Sequence, residues 1–286
     1  MVKLLEQDIL TKEVHDWEGM HLFHFALSSC SQKTRIVLNL KNLSWNSHPV
    51  NLYKKEHFTP WYLGINPRGL VPTLVINGSV HIESNDIIQL LDSKSSENIL
   101  IPDGMKNKVA DLLNFEDDLH LDLRTITFRF TQNRGKAPRS LSDLKNYREG
   151  GSGMVKGIKD KNKEREIKFW ETVAETGITN KAIETSAEKF KDALDVIDQD
   201  LAITKCILSD QISLLDVAWF IYVNRLTLCG YPIEQLHPNV FNWFKSLVSE
   251  PAFFNETVIP TEVRQAIDDH HKFLSHEKAT LIDVAK

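Results

Sequence analysis

The segment 67–84 constrains the fold of this chain more than any other stretch. It begins with a turn and a Val71-Pro72 step, and then contains two short runs of alternating residues, Thr73–Ile76 and Ser79–Ile82. The dipeptide Asn77-Gly78 joins the two runs, and it is the strongest short-range signal for a tight turn between antiparallel strands. The segment therefore predicts a β-hairpin.

The residues on either side extend the hairpin into a small α/β domain. Upstream, the sequence predicts a strand over His21–Ala26, a helix over Gln32–Lys41 and a second strand over Ser47–Leu52. Downstream, Ser84 is predicted to cap a helix that runs through Leu91. Because the first connection crosses over and the hairpin is antiparallel, the sheet is predicted to be mixed.

Beyond residue 105 the apolar spacing is almost entirely helical, with a clear core stripe in 184–201. Ser213 and Asp216 have the spacing of a capping box at the start of the most apolar helix. The predicted organisation is an N-terminal extension over 1–19, an α/β domain over 20–95, a linker over 96–105, an all-helical domain over 106–260 and a C-terminal helical tail over 261–286.

A basic segment near 132–168 interrupts the helical domain. Between residues 131 and 168, eleven Lys or Arg residues face five Asp or Glu residues, and the Gly150–Gly153 run breaks any regular pattern. One interpretation is an insertion or a flexible crossover. The other is a lid over a substrate cleft.

Composition excludes several classes of protein. The formal net charge of −5 and the pI near 6.1 disfavour a nucleic acid or an anionic membrane as partner. Cys30, Cys206 and Cys229 are too few and too widely spaced for a disulfide framework or a thiolate metal site. The first residues lack the apolar core of a signal peptide, so a cytoplasmic location is expected.

The turn between the first predicted strand and helix reads Ser28-Ser29-Cys30-Ser31. Amide groups converge at a helix N-terminus, where the helix dipole favours an anion. A serine hydroxyl there could donate a hydrogen bond to a bound thiolate, and a charge-assisted bond of about 1.5–3 kcal/mol would lower a thiol pKa by about one to two units. Ser28 and Ser29 compete for this role.

Cys30 allows a second chemistry at the same turn. Its thiolate could resolve a mixed disulfide with a thiol substrate, which would give reductive chemistry. The alternative is a small apolar residue on the inner face of the helix. A dithiol mechanism needs two cysteines two residues apart, and this turn has one.

The segment 67–84 also offers complementary surfaces to a peptide. A cis Val71-Pro72 bond would turn backbone groups outward to pair with an extended ligand. Ser84 and its helix N-terminus would bind a carboxylate, and Glu83 would pair with an ammonium group. A cation for a second carboxylate could come from Lys54, Lys55 or His57. These features point to the tripeptide glutathione.

With these motifs, the chain resembles the cytosolic glutathione transferase superfamily. The run from Ser28 to Ile36 is similar to the Ser-Ser-Cys signature of the zeta class. Asn66–Pro72 and Glu83-Ser84 match the proline loop and the γ-glutamyl motif. Ser213–Asp216 resembles the capping box of the helical domain, and His237–Pro251 its closing helix. The resemblance spans about residues 20–255.

The resemblance implies a thioredoxin-like domain followed by a helical bundle, glutathione as co-substrate, and a homodimer or a heterodimer with a related chain. It assigns the catalytic role to Ser28, Ser29 and Cys30. It implies that glutathione is bound by the residues Ser28, Ser29, Cys30, Ser31, His57, Val71, Pro72, Glu83 and Ser84. The implied electrophile is a small apolar or aromatic molecule held between the domains. Candidate lining residues, each of which could instead belong to the helical core, are Phe115, Phe128, Phe130 and Tyr222.

Two departures from the zeta pattern bear on the reaction. Zeta-class proteins usually have Gln where Glu83 stands, and the basic insertion and long C-terminal helix resemble bacterial transferases related to the β-etherases. The expected reaction is attack of the glutathione thiolate on an aromatic electrophile, including cleavage of a β-aryl ether. The alternatives are Cys30-dependent reductive dehalogenation, zeta-type isomerisation and a non-catalytic interaction module.

Overall fold

The computed structural model describes residues 2–132 and 139–285. Its strands are β1 (Val2–Lys3), β2 (Met20–His24), β3 (Asn46–Pro49), β4 (Thr73–Ile76), β5 (Ser79–Ile82), β6 (Met154–Val155) and β7 (Ile158–Lys159). Its helices are α1 (Ser29–Leu40), α2 (Pro60–Ile65), α3 (Ser84–Asp92), α4 (Lys106–Asp118), α5 (His120–Thr127), α6 (Leu141–Glu149), α7 (Lys161–Thr176), α8 (Asn180–Leu201), α9 (Leu214–Leu228), α10 (Ile233–Leu236), α11 (Pro238–Val248), α12 (Pro251–Thr257), α13 (Thr261–His276) and α14 (Leu281–Val284).

The described residues form two compact units. Unit 1 contains the residues up to 94 together with 139–177, and unit 2 contains 95–132 and 178–285. Unit 1 holds a five-stranded sheet in the order β1-β5-β4-β2-β3. Strands β2 and β3 are parallel and the other pairs are antiparallel, so the predicted mixed sheet is confirmed.

The N-terminal extension is part of the core of unit 1. Strand β1 pairs with the outer side of β5, where it covers an edge that would otherwise expose unpaired amides. Leu4, Ile9 and Val14 are buried and pack in one cluster with apolar residues of the sheet and of α2. At the hairpin turn Gly78 has a φ of +73°, and a side chain there would collide with the backbone of His15. The extension therefore closes over the sheet.

Residues 139–177, which we call the inserted segment, also belong to unit 1. We expected the basic segment 132–168 inside the helical domain, and residues 133–138 of it lie outside the described residues. The inserted segment contains α6, the hairpin β6–β7 and α7. Its residues Tyr147 and Ile167 pack in the core with Leu63. The inserted segment is joined to the α/β domain by apolar burial.

Unit 2 consists of helices and a π-helical turn over Phe128–Gln132. The predicted capping box is present at α9, where the backbone and hydroxyl of Ser213 both donate to Asp216 Oδ2, at 2.8 and 2.6 Å. Helix α9 is buried over most of its length, as its apolar composition predicts. Together the two units confirm the predicted order, a thioredoxin-like part followed by a large helical region. Among the described residues, no helix has both the length and the apolar character that crossing a lipid bilayer requires.

Three local features differ from the sequence predictions. Helix α1 begins at Ser29, three residues before the predicted start, because Ser28 caps it. Helix α3 begins at Ser84, so the N-cap position falls to Glu83 rather than to Ser84. The connection after β3 contains the short helix α2, which Thr59 caps through its hydroxyl.

Candidate functional site

The serine turn connects β2 to α1. Ser28 is the N-cap of α1, and its Oγ accepts a hydrogen bond from the Ser31 amide at 3.3 Å. Accepting that bond leaves the hydroxyl proton of Ser28 for donation to another acceptor. Ser28, Ser29 and Cys30 are half-buried, whereas Ser31 is fully buried and its Oγ accepts from the Phe25 amide at 3.3 Å. Ser31 therefore shapes the turn, and the other three side chains are the accessible ones.

Arg35 holds the end of β2 from the second turn of α1. Its guanidinium donates to the carbonyls of Phe25 and Ala26, at 3.2 and 2.8 Å, and lies 3.1 Å from His24 Nδ1. Burial, and then the charge of Arg35, lower the pKa of His24 to about 4. The imidazole is therefore neutral at pH 7 and accepts from Arg35. These bonds keep the serine turn in one geometry.

Two buried polar bonds align helices α1 and α3. Lys33 Nζ donates to Asn85 Oδ1 at 3.0 Å near the start of both helices. Lys41 forms an ion pair with Asp92 at 2.9 Å near their ends. The helices therefore run in the same direction with their N-termini side by side. Two adjacent helix N-termini reinforce each other as a site for anions.

The proline loop lies at the start of β4. The Val71-Pro72 peptide bond is cis, and both residues are buried. Tyr62 and Asn66 donate to the carbonyl of Leu70, at 2.6 and 2.9 Å, and these two bonds hold the loop in place.

Glu83 and Ser84 stand at the N-terminus of α3. Glu83 has a φ of +70°, in the left-handed region that residues other than glycine rarely adopt. Such strained positions cluster at functional sites, where the surrounding structure holds them in place. Ser84 is 6 % exposed and is the first residue of the helix.

Arg68 lies in the turn before the proline loop and binds two carboxylates. Its Nε and Nη2 donate to both oxygens of Asp160, at 2.8 and 2.9 Å, and its Nη1 donates to Glu83 Oε1 at 2.5 Å. Burial lowers the pKa of Arg68, but the bonds to Asp160 and the charge of Glu83 outweigh burial and raise the pKa overall. Asp160 belongs to the inserted segment, and neither Arg68 nor Asp160 is among the predicted site residues.

The structure differs from expectation at His57. Its side chain is buried, with the residue only 1 % exposed, and its ring packs against that of Phe58 in a tilted arrangement at a centroid distance of 4.0 Å. Arg139 of the inserted segment approaches His57 Nε2 at 3.4 Å. Burial, followed by the charge of Arg139, lowers the pKa of His57 to about 3. His57 is thus a neutral imidazole under the inserted segment and presents no cation at the surface.

A neighbouring lysine is also engaged by the inserted segment. Lys55 donates to Asp143 Oδ2 at 2.5 Å, with the lysine side chain 41 % exposed. The half-exposed ammonium group still has room for a second acceptor, so Lys55 remains compatible with a role toward a ligand carboxylate.

A pocket of about 400 Å³ opens beside the edge strand β3. None of the predicted site residues lines it. Its walls are Phe23, Ser47, His48, Pro49, Val50, Glu56, Thr59, Trp61 and Tyr62. The pocket and the serine turn are therefore separate features of unit 1.

Unit 2 places the remaining candidates in different environments. Phe130 and Tyr222 are at most 1 % exposed and belong to its core, whereas Phe115 is 48 % exposed and Phe128 is half-buried. Burial raises the pKa of Cys206 and Cys229 to about 12. Neither thiol is therefore ionised near neutral pH, and Cys30 is the cysteine that lies in the serine turn.

Comparison with known proteins identifies the first part of the chain. Residues 27–94 match the family model of the glutathione S-transferase N-terminal domain. Unit 1 contains a glutathione S-transferase N-terminal domain. The resemblance to this superfamily is thereby confirmed, and the matched segment includes all the predicted site residues from Ser28 to Ser84.

Curated relatives match over about a third of the chain. Glutathione S-transferase 1 of Dianthus caryophyllus is 41% identical over 99 residues, 35% of this chain and 43% of that protein. Maleylacetoacetate isomerase of Pseudomonas aeruginosa is 39% identical over 85 residues, 29% of this chain and 40% of that protein. The alignments thus cover less than half the length of these relatives.

Solved structures extend the likeness to most of the fold. The beta-etherase LigF from Sphingobium sp. strain SYK-6 superposes with a TM-score of 0.67, covering 83% of this chain and 98% of that chain at 22% identity. A glutathione transferase family member from Pseudomonas fluorescens, solved with two glutathione molecules bound, superposes with a TM-score of 0.61 at 18% identity and covers 86% of this chain and 94% of that chain. The fold is that of a glutathione transferase.

Proposed function

We propose that the chain is a glutathione transferase. Glutathione binds to unit 1, with its γ-glutamyl end at Glu83 and Ser84, its cysteinyl backbone at Val71-Pro72 and its sulfur at the serine turn. One observation carries the proposal: helices α1 and α3 lie with their N-termini side by side, so that one anion-binding region joins the serine turn to Glu83 and Ser84. The match of residues 27–94 to the family model supports it.

In the proposed mechanism, the hydroxyl of Ser28 or Ser29 donates a hydrogen bond to the glutathione sulfur. The bond stabilises the thiolate and lowers the thiol pKa by about one to two units. The thiolate then forms a carbon–sulfur bond with an apolar aromatic electrophile, whose leaving group departs with the bonding electron pair. An aryl ether would release a phenolate, which takes its proton from water.

Single substitutions of the two serines test the mechanism. In Ser28→Ala or Ser29→Ala, loss of the hydrogen bond should reduce glutathione-dependent turnover of a model electrophile by about 10- to 100-fold at pH 7. Ser140 caps α6 with the same geometry, its Oγ accepting from Asp143 at 3.2 Å, so Ser140→Ala controls for the loss of a cap. Unchanged rates in both Ser28→Ala and Ser29→Ala would refute the mechanism.

A second candidate reaction is glutathione-dependent isomerisation of an unsaturated diacid. The names of the sequence relatives favour it, since they include zeta-class transferases and maleylacetoacetate isomerases. A substrate screen of aryl ethers, halogenated aromatics and unsaturated diacids separates the two reactions.

Reductive chemistry makes its own prediction at Cys30. Cys30→Ala would abolish it, and mass spectrometry of the wild-type protein after turnover would detect a glutathionyl adduct on Cys30. Turnover without that adduct would exclude the reductive reaction.

A further inference from the structure

Three charged side chains form one cluster in unit 1. The guanidinium of Arg68 binds Asp160 with two parallel hydrogen bonds, at 2.8 and 2.9 Å, and binds Glu83 with a third bond at 2.5 Å. Among the described residues, these bonds join one cation to two carboxylates, whose summed charge is −1. Arg68 comes from the turn before the proline loop, Glu83 from the start of α3 and Asp160 from the inserted segment.

Burial divides the cluster into an inner pair and an outer carboxylate. The side chains of Arg68 and Asp160 are 7 % and 5 % exposed, while that of Glu83 is 34 % exposed. The inner pair is thus shielded from solvent, whereas the carboxylate of Glu83 is partly exposed to solvent beside Ser84. A ligand that reaches the N-terminus of α3 meets Glu83 before it meets the inner pair.

Asp160 is itself held in one orientation. It is the N-cap of α7, and its carboxylate accepts from the amides of Asn162 and Lys163 at 3.3 and 3.1 Å. The ammonium group of Lys163 donates to the carbonyl of Gly150 at 2.6 Å and lies over the ring of Tyr147. The hydroxyl of Tyr147 donates to the carbonyl of Arg68, so the inserted segment also holds the backbone of Arg68.

We propose that Asp160 is a positioning residue for the γ-glutamyl end of glutathione. Without a second carboxylate, the pair Arg68–Glu83 would be neutral and would attract the substrate ammonium only weakly. Asp160 offsets the positive charge of Arg68, so that a net negative charge remains at Glu83 for the substrate ammonium. Arg68 meanwhile holds the Glu83 carboxylate in one orientation. The inserted segment thereby sets the preference of the site for a free α-ammonium group. The proposal rests on the proposed function.

The test compares glutathione with its N-glutaryl analogue, which lacks only the α-ammonium group. KM and kcat for both thiols are measured in the wild-type protein and in Asp160→Asn, which preserves helix capping because asparagine is an equally good N-cap. We expect the KM for glutathione to rise about 5- to 10-fold, the effect of one partly buried charge, with kcat unchanged. The KM for the analogue should change by less than about 2-fold. Equal changes for both thiols, or no change for either, would overturn the proposal.

Two further variants sharpen the result. The double substitution Arg68→Gln with Asp160→Asn removes the cation together with its counter-charge, so it should restore the preference for glutathione; a purely structural role predicts that it does not. The double variant also tests the proposal if the single variant Asp160→Asn does not fold. Asp143→Asn is the matched control, since Asp143 closes the capping box at the start of another helix of the inserted segment and pairs with a basic residue, Lys55. The ratio of the two KM values should stay at the wild-type level. A wild-type protein that binds neither thiol would refute the proposed function and the inference with it, whereas a protein that uses both thiols without preference would refute the inference alone.

Discussion

The inserted segment contacts two regions of unit 1, and it has opposite effects on the solvent exposure of a side chain in each. At the N-terminus of α3 it places Asp160 behind Arg68 and leaves Glu83 34 % exposed. At the connection after β3 it covers His57 with Arg139 and leaves the histidine 1 % exposed. We call these the Glu83 region and the His57 region. The comparison shows that one insertion can leave one candidate side chain partly exposed and bury another.

The largest effect is expected where the inserted segment and the Glu83 region meet. Arg68→Met leaves the carboxylate of Asp160 buried without its cation, and breaking a buried pair in this way costs about 3–5 kcal/mol. Denaturant unfolding measures the loss. Arg148, whose side chain is 43 % exposed and pairs with Glu171 at 2.8 Å, provides the control, since exposed pairs contribute at most about 1 kcal/mol. Equal losses in Arg68→Met and Arg148→Met would contradict the burial argument.

The next largest effect concerns binding at the Glu83 region. Glu83→Gln removes the carboxylate charge proposed for the substrate ammonium, and the KM for glutathione should rise about 10- to 100-fold, or about 1.4–2.8 kcal/mol. Steady-state kinetics with saturating electrophile provides the measurement. Asp86→Asn removes another acid from the first turn of α3 and should have the smaller effect. If Glu83→Gln and Asp86→Asn raise the KM for glutathione equally, binding depends only on the total charge at the N-terminus of α3.

The His57 region makes a prediction about pH. The folded-state pKa of His57, about 3, lies below its unfolded value of 6.5, so the unfolded chain takes up the proton first as the pH falls. Neutral His57 therefore stabilises the fold fully above pH 6.5, and this contribution is lost progressively between pH 6.5 and about 3, at up to about 1.4 kcal/mol per pH unit.

Unfolding free energies measured across this window test that prediction. The slope against pH should be shallower in His57→Gln than in the wild-type protein, by up to one proton. His276→Gln is the control, because the side chain of His276 is 85 % exposed. A wild-type slope in His57→Gln would mean that the imidazole is solvated in solution.

The smallest expected effect separates the two regions in one assay. His57→Gln should change the KM for glutathione by less than about 2-fold, or about 0.4 kcal/mol, since the imidazole is buried and offers no exposed surface to a ligand. Glu83→Gln, measured alongside, shows the response of a residue that is proposed to contact glutathione. If both variants raise the KM alike, the inserted segment must open in solution and expose His57.

The difference between local and long-range signals explains what the sequence could predict. The hairpin β4–β5 and the capping box of α9 depend on residues at most a few positions apart, and both were predicted correctly. Helix α2, whose N-cap is Thr59, was not predicted, because the polar and aromatic residues of this connection lack an apolar helical period. For such short elements, tertiary packing decides the outcome.

The missed parts of the candidate site depend on pairs that are distant in sequence. Arg68 and Asp160 are 92 positions apart, and no pattern within either neighbourhood indicates the other. Strand β1 has only two residues, and its place beside β5 is visible only once the sheet has formed. The positions of Ser28 at the start of α1 and of Glu83 and Ser84 at the start of α3 were predictable, because these residues belong to contiguous motifs. The burial of His57 was not, because the covering residues come from the inserted segment.

The most direct test of the account is the pKa of the glutathione thiol when it is bound to the protein. Ultraviolet absorbance of the thiolate, recorded against pH at saturating glutathione, provides this value for the wild-type protein and for the Ser28→Ala and Ser29→Ala variants. We expect the bound thiol to titrate about one to two pH units below free glutathione in the wild-type protein, and this difference to disappear in at least one variant. A wild-type titration identical to that of free glutathione would contradict the claim that this chain binds glutathione and ionises its thiol.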